Sequence, residues 1–420
     1  MSGLWRLALA SAWHRRFVLS ITLASVALSA FMLASIEQIR GDVREGFSQS
    51  VSGTDLIVGP RTGSTQLLLY SIFRIGQATN NMQWASVEAL QAHRAVRWVV
   101  PMSLGDSHRG FPVVGTSAAY FEHFRYGDEQ PLALAQGKRF SQLFEAVIGA
   151  EVARQLGYRL GSPVVLSHGD GALHADDHAD KPFTVVGVLA PTGTPVDRSV
   201  HISLQAMQAL HVDWMGGAPM PGIHVDPHDL TPELLRPREV TAVLVGLKSR
   251  AAVFAVQRWL AEYEQEPLMA ILPGVALDEL WQVVGSAEKA LLAITALVAL
   301  VSLAGLVATL LAGLSERRRE LAILRAVGAS PRAILWLLLL EGSVLSVAGV
   351  VLGWLGSWLT ILACQGWAQV QWGLHLRAGW PTSAQAMLML SLAAAGLLAS
   401  LLPAWRAYRL SLADGLSPKS

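Results

Sequence analysis

The sequence predicts a membrane protein of four transmembrane α-helices plus a large external α+β domain inserted between helices 1 and 2. Three observations carry that fold class. The 420 residues are 52% hydrophobic and only 15% charged, with a mean hydropathy of +0.40, unlike an ordinary soluble globule or a disordered chain. Four apolar runs are long enough to cross a bilayer core. Short β-branched runs recur between the first and second of them. Lys and Arg number 32 against 31 Asp and Glu, a formal charge of +1. There is no global basic field, so no nucleic-acid partner is supported. Cys364 is the single cysteine, which excludes an intrachain disulfide, a cysteine-type zinc site and a redox CxxC pair.

Residues 1–16 form a short N-terminal segment. Within it, Leu4–Trp13 reads either as an interfacial amphipathic helix or as a continuation of the first span. The first span, 17–36, carries its uncharged run from Phe17 to Ile36, about 30 Å at roughly 1.5 Å per residue. Arg15 and Arg16 would suit a signal peptide. The run exceeds a usual h-region, and no A-x-A site follows, so an uncleaved anchor is expected. The second span covers 290–314. The third, 333–364, contains one charge, Glu341. The fourth, 384–403, ends at Pro403.

Basic residues orient these spans. Arg6, Arg15 and Arg16 precede the first. Arg317, Arg318, Arg319, Arg325 and Arg332 fall in the 315–332 loop, and Arg406, Arg409 and Lys419 follow the fourth. The 365–383 loop holds only Arg377. Both termini, the tail 404–420 included, and the 315–332 loop are therefore expected in the cytoplasm, with 37–289 and 365–383 outside. In the 37–289 segment the strand-like runs are Asp55–Val58, Phe111–Gly115, Ala146–Gly149, Pro163–Leu166, Phe183–Leu189 and Val240–Leu247. Helical patterns at Ser86–His93, Ala150–Leu156 and Ser249–Tyr263 lie between some of them, and Val212–Arg238 reads as a loop. Two subdomains are expected, 37–108 with 240–289, and 109–239.

The loop Ser315–Arg332 predicts a short amphipathic helix outside the bilayer. Ser315 is the expected N-cap and Gly328 the stop, and Ser330-Pro331 starts the next helix. Leu321, Leu324 and Val327 are read as one apolar side. Such a helix either lies on anionic lipid headgroups or acts as a lever docking into a cytoplasmic partner.

The loop SERRRELAILRAVGAS, with Leu340–Gly353 after it, resembles the permease signature of the MacB/FtsX/LolC-E group, the membrane subunits of ABC systems. Leu402–Leu416 resembles that group's closing motif. Ala146–Leu166, Phe183–Leu204, Val240–Leu260 and, near the N-terminus, Val51–Gly59 and the first span resemble its periplasmic domain more loosely. Pro60–Trp84 and a His-rich stretch depart from the MacB pattern. The resemblance implies an ABC transporter permease subunit with an FtsX-like permease domain and a MacB-like periplasmic domain, in a bacterial inner membrane. It implies a dimer with itself or a homologous permease, and a separate cytoplasmic ABC ATPase subunit carrying the ATP and Mg. It also implies that Glu316, Arg317, Arg318, Arg319, Glu320, Leu321, Leu324, Arg325 and Gly328 couple the two. The chain contains no GxxxxGK[ST] P-loop.

Two functions stay open: export or extraction of cargo on the external side, and mechanotransmission to an external hydrolase without moving cargo. No Ser-His-Asp, HExxH or paired-carboxylate spacing supports an enzyme. A periplasmic partner or cargo and membrane lipid complete the expected contacts. Glu341, an intramembrane acid, is costly unless paired; Arg332 and Arg325 are its candidate partners. Gly349-x-x-x-Gly353 suits close helix approach, as a dimer seam or otherwise. Leu67–Phe73 is either an external contact patch or buried core. His168, His174 and His178 share a stretch with four aspartates, 168–180. It reads as a solvated hairpin, a weak zinc site or a pH-sensitive contact.

Overall fold

The structure, a computed structural model, describes residues 16–50, 52–168, 178, 181–215, 218–219, 225, 227–316, 318–372 and 376–409. The chain opens with α1 (Arg16–Gln49), β1 (Leu56–Pro60), α2 (Ser64–Leu68) and α3 (Trp84–Ala92). Next come β2 (Val96–His108), β3 (Phe111–Thr116), α4 (Ala119–His123), β4 (Leu134–Gly137), β5 (Glu145–Ile148), α5 (Ala150–Leu156) and β6 (Phe183–Leu189). Then follow β7 (Val200–Ser203), α6 (Leu204–Leu210), β8 (Ala242–Leu247), α7 (Val253–Ala261) and β9 (Leu268–Ile271). The chain continues with α8 (Pro273–Glu316), α9 (Arg318–Ala326), α10 (Pro331–Trp372) and α11 (Ser383–Arg409). These elements fall into two compact units: a membrane unit within Met1–Val43, Gly285–Ala368 and Leu376–Ser420, and a sheet unit within Arg44–Val284 and Gln369–His375.

The sheet unit holds one 11-stranded sheet, ordered β9-β1-β8-β2-β3-β7-β5-β6-β4, with the two-residue strands Pro163–Val164 and Ser167–His168 pairing β6 and β2. β1, β8 and β9 pair antiparallel, as do β8, β2 and β3. Two pairs are parallel, β7 with β3 and β6 with β5, and α5 supplies the crossover from β5 to β6. The apolar runs on β1 and β8 are continuous because both faces are covered. Ile57 and Leu244 point into one core cluster; their neighbours Leu56, Val58, Val243 and Val245 point into another, against Val87 and Leu90 of α3 and Val253, Val256 and Leu260 of α7. A third cluster packs β3, β5, β6 and β7 against Ala206, Met207 and Leu210 of α6.

Leu67–Phe73 belongs to the first cluster. It forms the end of α2 and a π-helical turn, Leu69–Phe73, with Leu67 and Leu68 fully buried. Of the two readings, contact patch or core, the structure shows core: the helical wind turns six of the seven residues inward at once. The longest strand, β2, was passed over in the sequence although it opens on the β-branched and aromatic run Val96-Arg-Trp-Val-Val100. Pro101 lies inside it and its register shifts between Leu104 and Ser107, and both features disguise a strand.

In the membrane unit, α1, α8, α10 and α11 are long and apolar enough to cross a membrane. Each contains one of the four apolar runs. α11 does not stop at Pro403 but continues to Arg409; the proline forfeits one intrahelical bond, a loss that membrane helices tolerate when neighbouring groups meet the freed carbonyl. α1 is the helix the others meet. A Cβ on Gly349 would lie 2.7 Å from a Val26 methyl, and one on Gly353 would lie 2.6 Å from the Ala30 methyl and also meet the Ala27 carbonyl. The Gly349-x-x-x-Gly353 seam therefore seats α10 on α1 of the same chain, which corrects the reading of a dimer seam. Hydroxyls tie α1 to α8: Ser25 donates to Ser302 at 2.9 Å, the Ser29 and Ser302 hydroxyls are hydrogen-bonded at 2.6 Å, and Thr22 donates to Thr309 at 3.2 Å. Ser35 donates to Ser357 of α10 at 2.9 Å, and Gln385 of α11 donates to the Ala34 carbonyl at 3.0 Å.

Candidate functional site

Helix α9 joins the second span to the third, and its sequence explains where it stops. Gly328 takes a φ of +103°, open to glycine at little cost. There its N–H donates to the Arg325 carbonyl at 3.1 Å, while the Val327 N–H donates to Ile323 at 3.0 Å. Ser330 then accepts from the Ala333 N–H at 3.2 Å, and Pro331 is the first residue of α10, as its fixed φ favours. Ser315 is not an N-cap: α8 runs on through it to Glu316, because nothing in Leu314-Ser315-Glu316 interrupts the helix.

Among the described side chains of α9, two anchor it. Leu321 and Ala322 are each only 5% exposed. Leu321 packs in a cluster with Leu314 of α8, Ile334 and Leu338 of α10, and Ala404 and Ala407 of α11. Ile323 and Val327, one turn apart, are instead 54% and 84% exposed. The expectation of Leu321 and Val327 on one apolar side is corrected. Six residues at about 100° each leave them about 120° apart, so burying one turns the other out. Glu316 closes α8, while Arg318, Arg319, Glu320 and Leu324 lie along α9 and Arg325 is half-buried in its last turn. Arg317 lies outside the described residues. Glu341 sits in α10, half-buried.

The histidine stretch is seen in part. His168 ends the strand Ser167–His168, opposite Asp106 of β2. His174 lies outside the described residues. His178 is 2% exposed, its ring centroid 4.9 Å from Trp214 and 5.8 Å from His211. His211 Nε2 stands 3.4 Å from Asp106, and its Nδ1 contacts the Met207 carbonyl at 2.7 Å. Burial works to lower the His211 pKa, but the Asp106 hydrogen bond and charge together with Met207 raise it on balance. Nearby, Lys181 pairs with Asp213 at 3.0 Å. Among the described residues no three His, Cys, Asp or Glu converge as metal ligands.

Sequence reading passed over the exposed Ile323 and the hydroxyls of Thr22, Ser25, Ser29 and Ser302. The signal for the latter was available: Thr22, Ser25 and Ser29 recur at helical spacing inside an apolar run.

Comparison with known families adds two matches. A model of the FtsX-like permease C-terminal region matches residues 292–412, and a model of the MacB-like periplasmic core domain matches residues 17–263. Among solved structures, the chain is similar to the periplasmic region of MacB from Actinobacillus actinomycetemcomitans. The identity is 12% and the TM-score 0.34, over 57% of this chain and 95% of that one. It is also similar to the extracellular domain of the noncanonic ABC-type transporter YknZ from Gram-positive bacteria. There the identity is 12% and the TM-score 0.30, over 52% of this chain and 98% of that one. No curated protein matches it in sequence.

Proposed function

The chain belongs to the MacB/FtsX group of ABC-type permeases, and from that premise we propose that α9 is the element through which a cytoplasmic ABC ATPase drives it. ATP and Mg reside on that ATPase subunit. Its closure pushes on the exposed Ile323 and Val327. The push passes through Leu321, clamped between α8, α10 and α11, into the cytoplasmic ends of three spans. The permease works as a dimer, with itself or with a homologous permease. The resulting motion of its external domain exports or extracts a substrate. The termini and α9 share the cytoplasmic side in this reading, in line with the arginine distribution.

The observation that carries the proposal is the split character of α9. A helix lying on lipid headgroups would turn its apolar residues into the membrane. Here Leu321 is anchored among the spans, while two further apolar residues stand clear on another side, as a protein-docking surface requires. The test is the doubly substituted Ile323→Glu, Val327→Glu permease, co-expressed with its ATPase. Membrane insertion and thermal midpoint should match the native protein, and stimulation of ATP hydrolysis by the permease should fall at least tenfold. Native-level stimulation by the variant would refute the docking role.

A further inference from the structure

Arg74 is half-buried in the sheet unit, with its Nε and Nη1 closed to solvent and unsatisfied. Neither has a hydrogen-bond partner among the described residues, and Nη2 reaches the Met102 sulfur, at 3.9 Å. The neighbour that favours its charge is the Tyr120 hydroxyl, through its charge and a side-chain hydrogen bond, rather than a carboxylate. Burial lowers the Arg74 pKa, with Tyr120 opposing, yet a guanidinium keeps its proton in a protein. Guanidinium donors closed to water and left open are costly unless an acceptor meets them.

The surroundings follow the same pattern. His201 Nε2, in a fully buried side chain, also lacks a partner among the described residues, and the fully buried Tyr120 hydroxyl has Arg74 beside it. Burial and the Arg74 charge hold His201 neutral, its pKa pushed down to about 3, so it cannot add a second cation. The backbone that presents Arg74 is itself unusual. The π-helical turn Leu69–Phe73 ends on Arg74, which takes the left-handed conformation at φ 60° and ψ 30°. Such turns and left-handed non-glycine residues cost energy and concentrate where function uses them.

Arg74 lines a cavity of about 270 Å³ with Tyr70, Leu104, Ser107, Pro112 and Val113. Ser107 Oγ is another buried group without a hydrogen-bond partner among the described residues, and the buried Tyr70 hydroxyl has Thr62 near it. Asp106 is also on the wall, with His211 at 3.4 Å to offset its charge. Polar donors thus gather beside Arg74, and aliphatic walls face them.

We propose that this cavity binds a small oxyanion, a carboxylate or phosphate group, neutralised by Arg74 and hydrogen-bonded by Tyr70 and Ser107, with any short hydrocarbon body against Leu104, Pro112 and Val113. The site does not depend on how α9 meets its partner. It gives the sheet unit a ligand of its own, whether cargo head group or effector.

The full-length chain, in detergent micelles and low-chloride Bis-Tris buffer at pH 7, is titrated calorimetrically with sodium phosphate and with sodium butyrate. Sodium chloride, n-butanol and n-butylammonium chloride serve as controls, and thermal midpoints are recorded in parallel. At least one oxyanion should bind saturably and raise the midpoint, as a ligand of the native state must. Affinity should fall at least tenfold in Arg74→Met. Saturation by phosphate alone identifies a phosphate ligand, and saturation by butyrate a carboxylate. If Arg74→Met does not fold, the double variant Tyr70→Phe, Ser107→Ala replaces it, with several-fold weaker binding expected. Absence of saturable oxyanion binding, equal binding by chloride, or undiminished affinity in the variant that folds would overturn the proposal.

Discussion

The two units solve the same packing problem by opposite means. In the sheet unit, Leu244 and Val100 face each other across β8 and β2, both fully buried, and stability comes from apolar area removed from water. In the membrane unit, large apolar residues such as Leu297 and Leu300 are turned outward, at 62% and 64% exposure. The closest contacts between helices run through Gly349, Gly353 and serine hydroxyls, beside a smaller set of buried apolar residues such as Val350 and Leu392. Lipid tails are as apolar as leucine, so burying leucine between spans gains little, while close backbone approach and hydrogen bonds gain what there is. The lesson is that residue size should matter with opposite sign in the two units.

Truncation and enlargement break or sharpen that contrast. The largest effect is expected from Leu244→Ala, which should destabilise by about 2–5 kcal/mol, read as a lower thermal midpoint of the full chain; Leu297→Ala in α8 should change it by no more than about 0.5 kcal/mol. Equal effects would erase the distinction. Next is Glu145, 8% exposed on β5. Burial alone would raise its pKa, but the backbone N–H groups of Ser141 and Gln142 and the Lys138 ammonium lower it from 4.5 to about 2. A depressed carboxylate contributes stability that is present above pH 4.5 and lost as pH falls toward 2. Glu145→Gln should therefore cost about 1.5–3 kcal/mol at pH 7 and little near pH 2, measured by thermal unfolding at both.

Enlargement comes third. Gly353→Leu should cost about 1–3 kcal/mol by overpacking α10 against α1, whereas a large residue at Gly366, where a Cβ meets nothing within 4 Å, should be tolerated. The smallest effect belongs to Ser302→Ala, about 0.6 kcal/mol, despite two hydroxyl contacts to α1. A cost above that of Leu244→Ala would place the membrane unit's stability in its hydroxyls rather than in its glycines.

The spans and the six strand-like runs were legible because uncharged runs of bilayer length and β-branched clusters leave few alternatives. The 315–332 loop was legible at Gly328 and Ser330-Pro331, where backbone chemistry is local. β2 was not, since Pro101 and Gly105 read as breakers and only pairing with β8 and β3 overrides them. The partner of Gly349-x-x-x-Gly353 was not legible either, because a small-residue row states that something approaches closely and not what. Nor was the side on which Val327 lies, which depends on Leu321 being claimed by three other helices. Arg74 looked like any loop arginine, as its isolation is produced entirely by the fold around it.

The most direct test of the account is the side of the membrane on which α9 lies. Val327→Cys and, separately, Arg250→Cys in the sheet unit are placed in a Cys364→Ser background and exposed in spheroplasts to a membrane-impermeant maleimide. Both native side chains are at least 84% exposed. The account predicts labelling of Arg250→Cys in intact spheroplasts, and of Val327→Cys only after the membrane is permeabilised. Labelling of Val327→Cys in intact spheroplasts would contradict it, because no cytoplasmic ATPase could then reach α9.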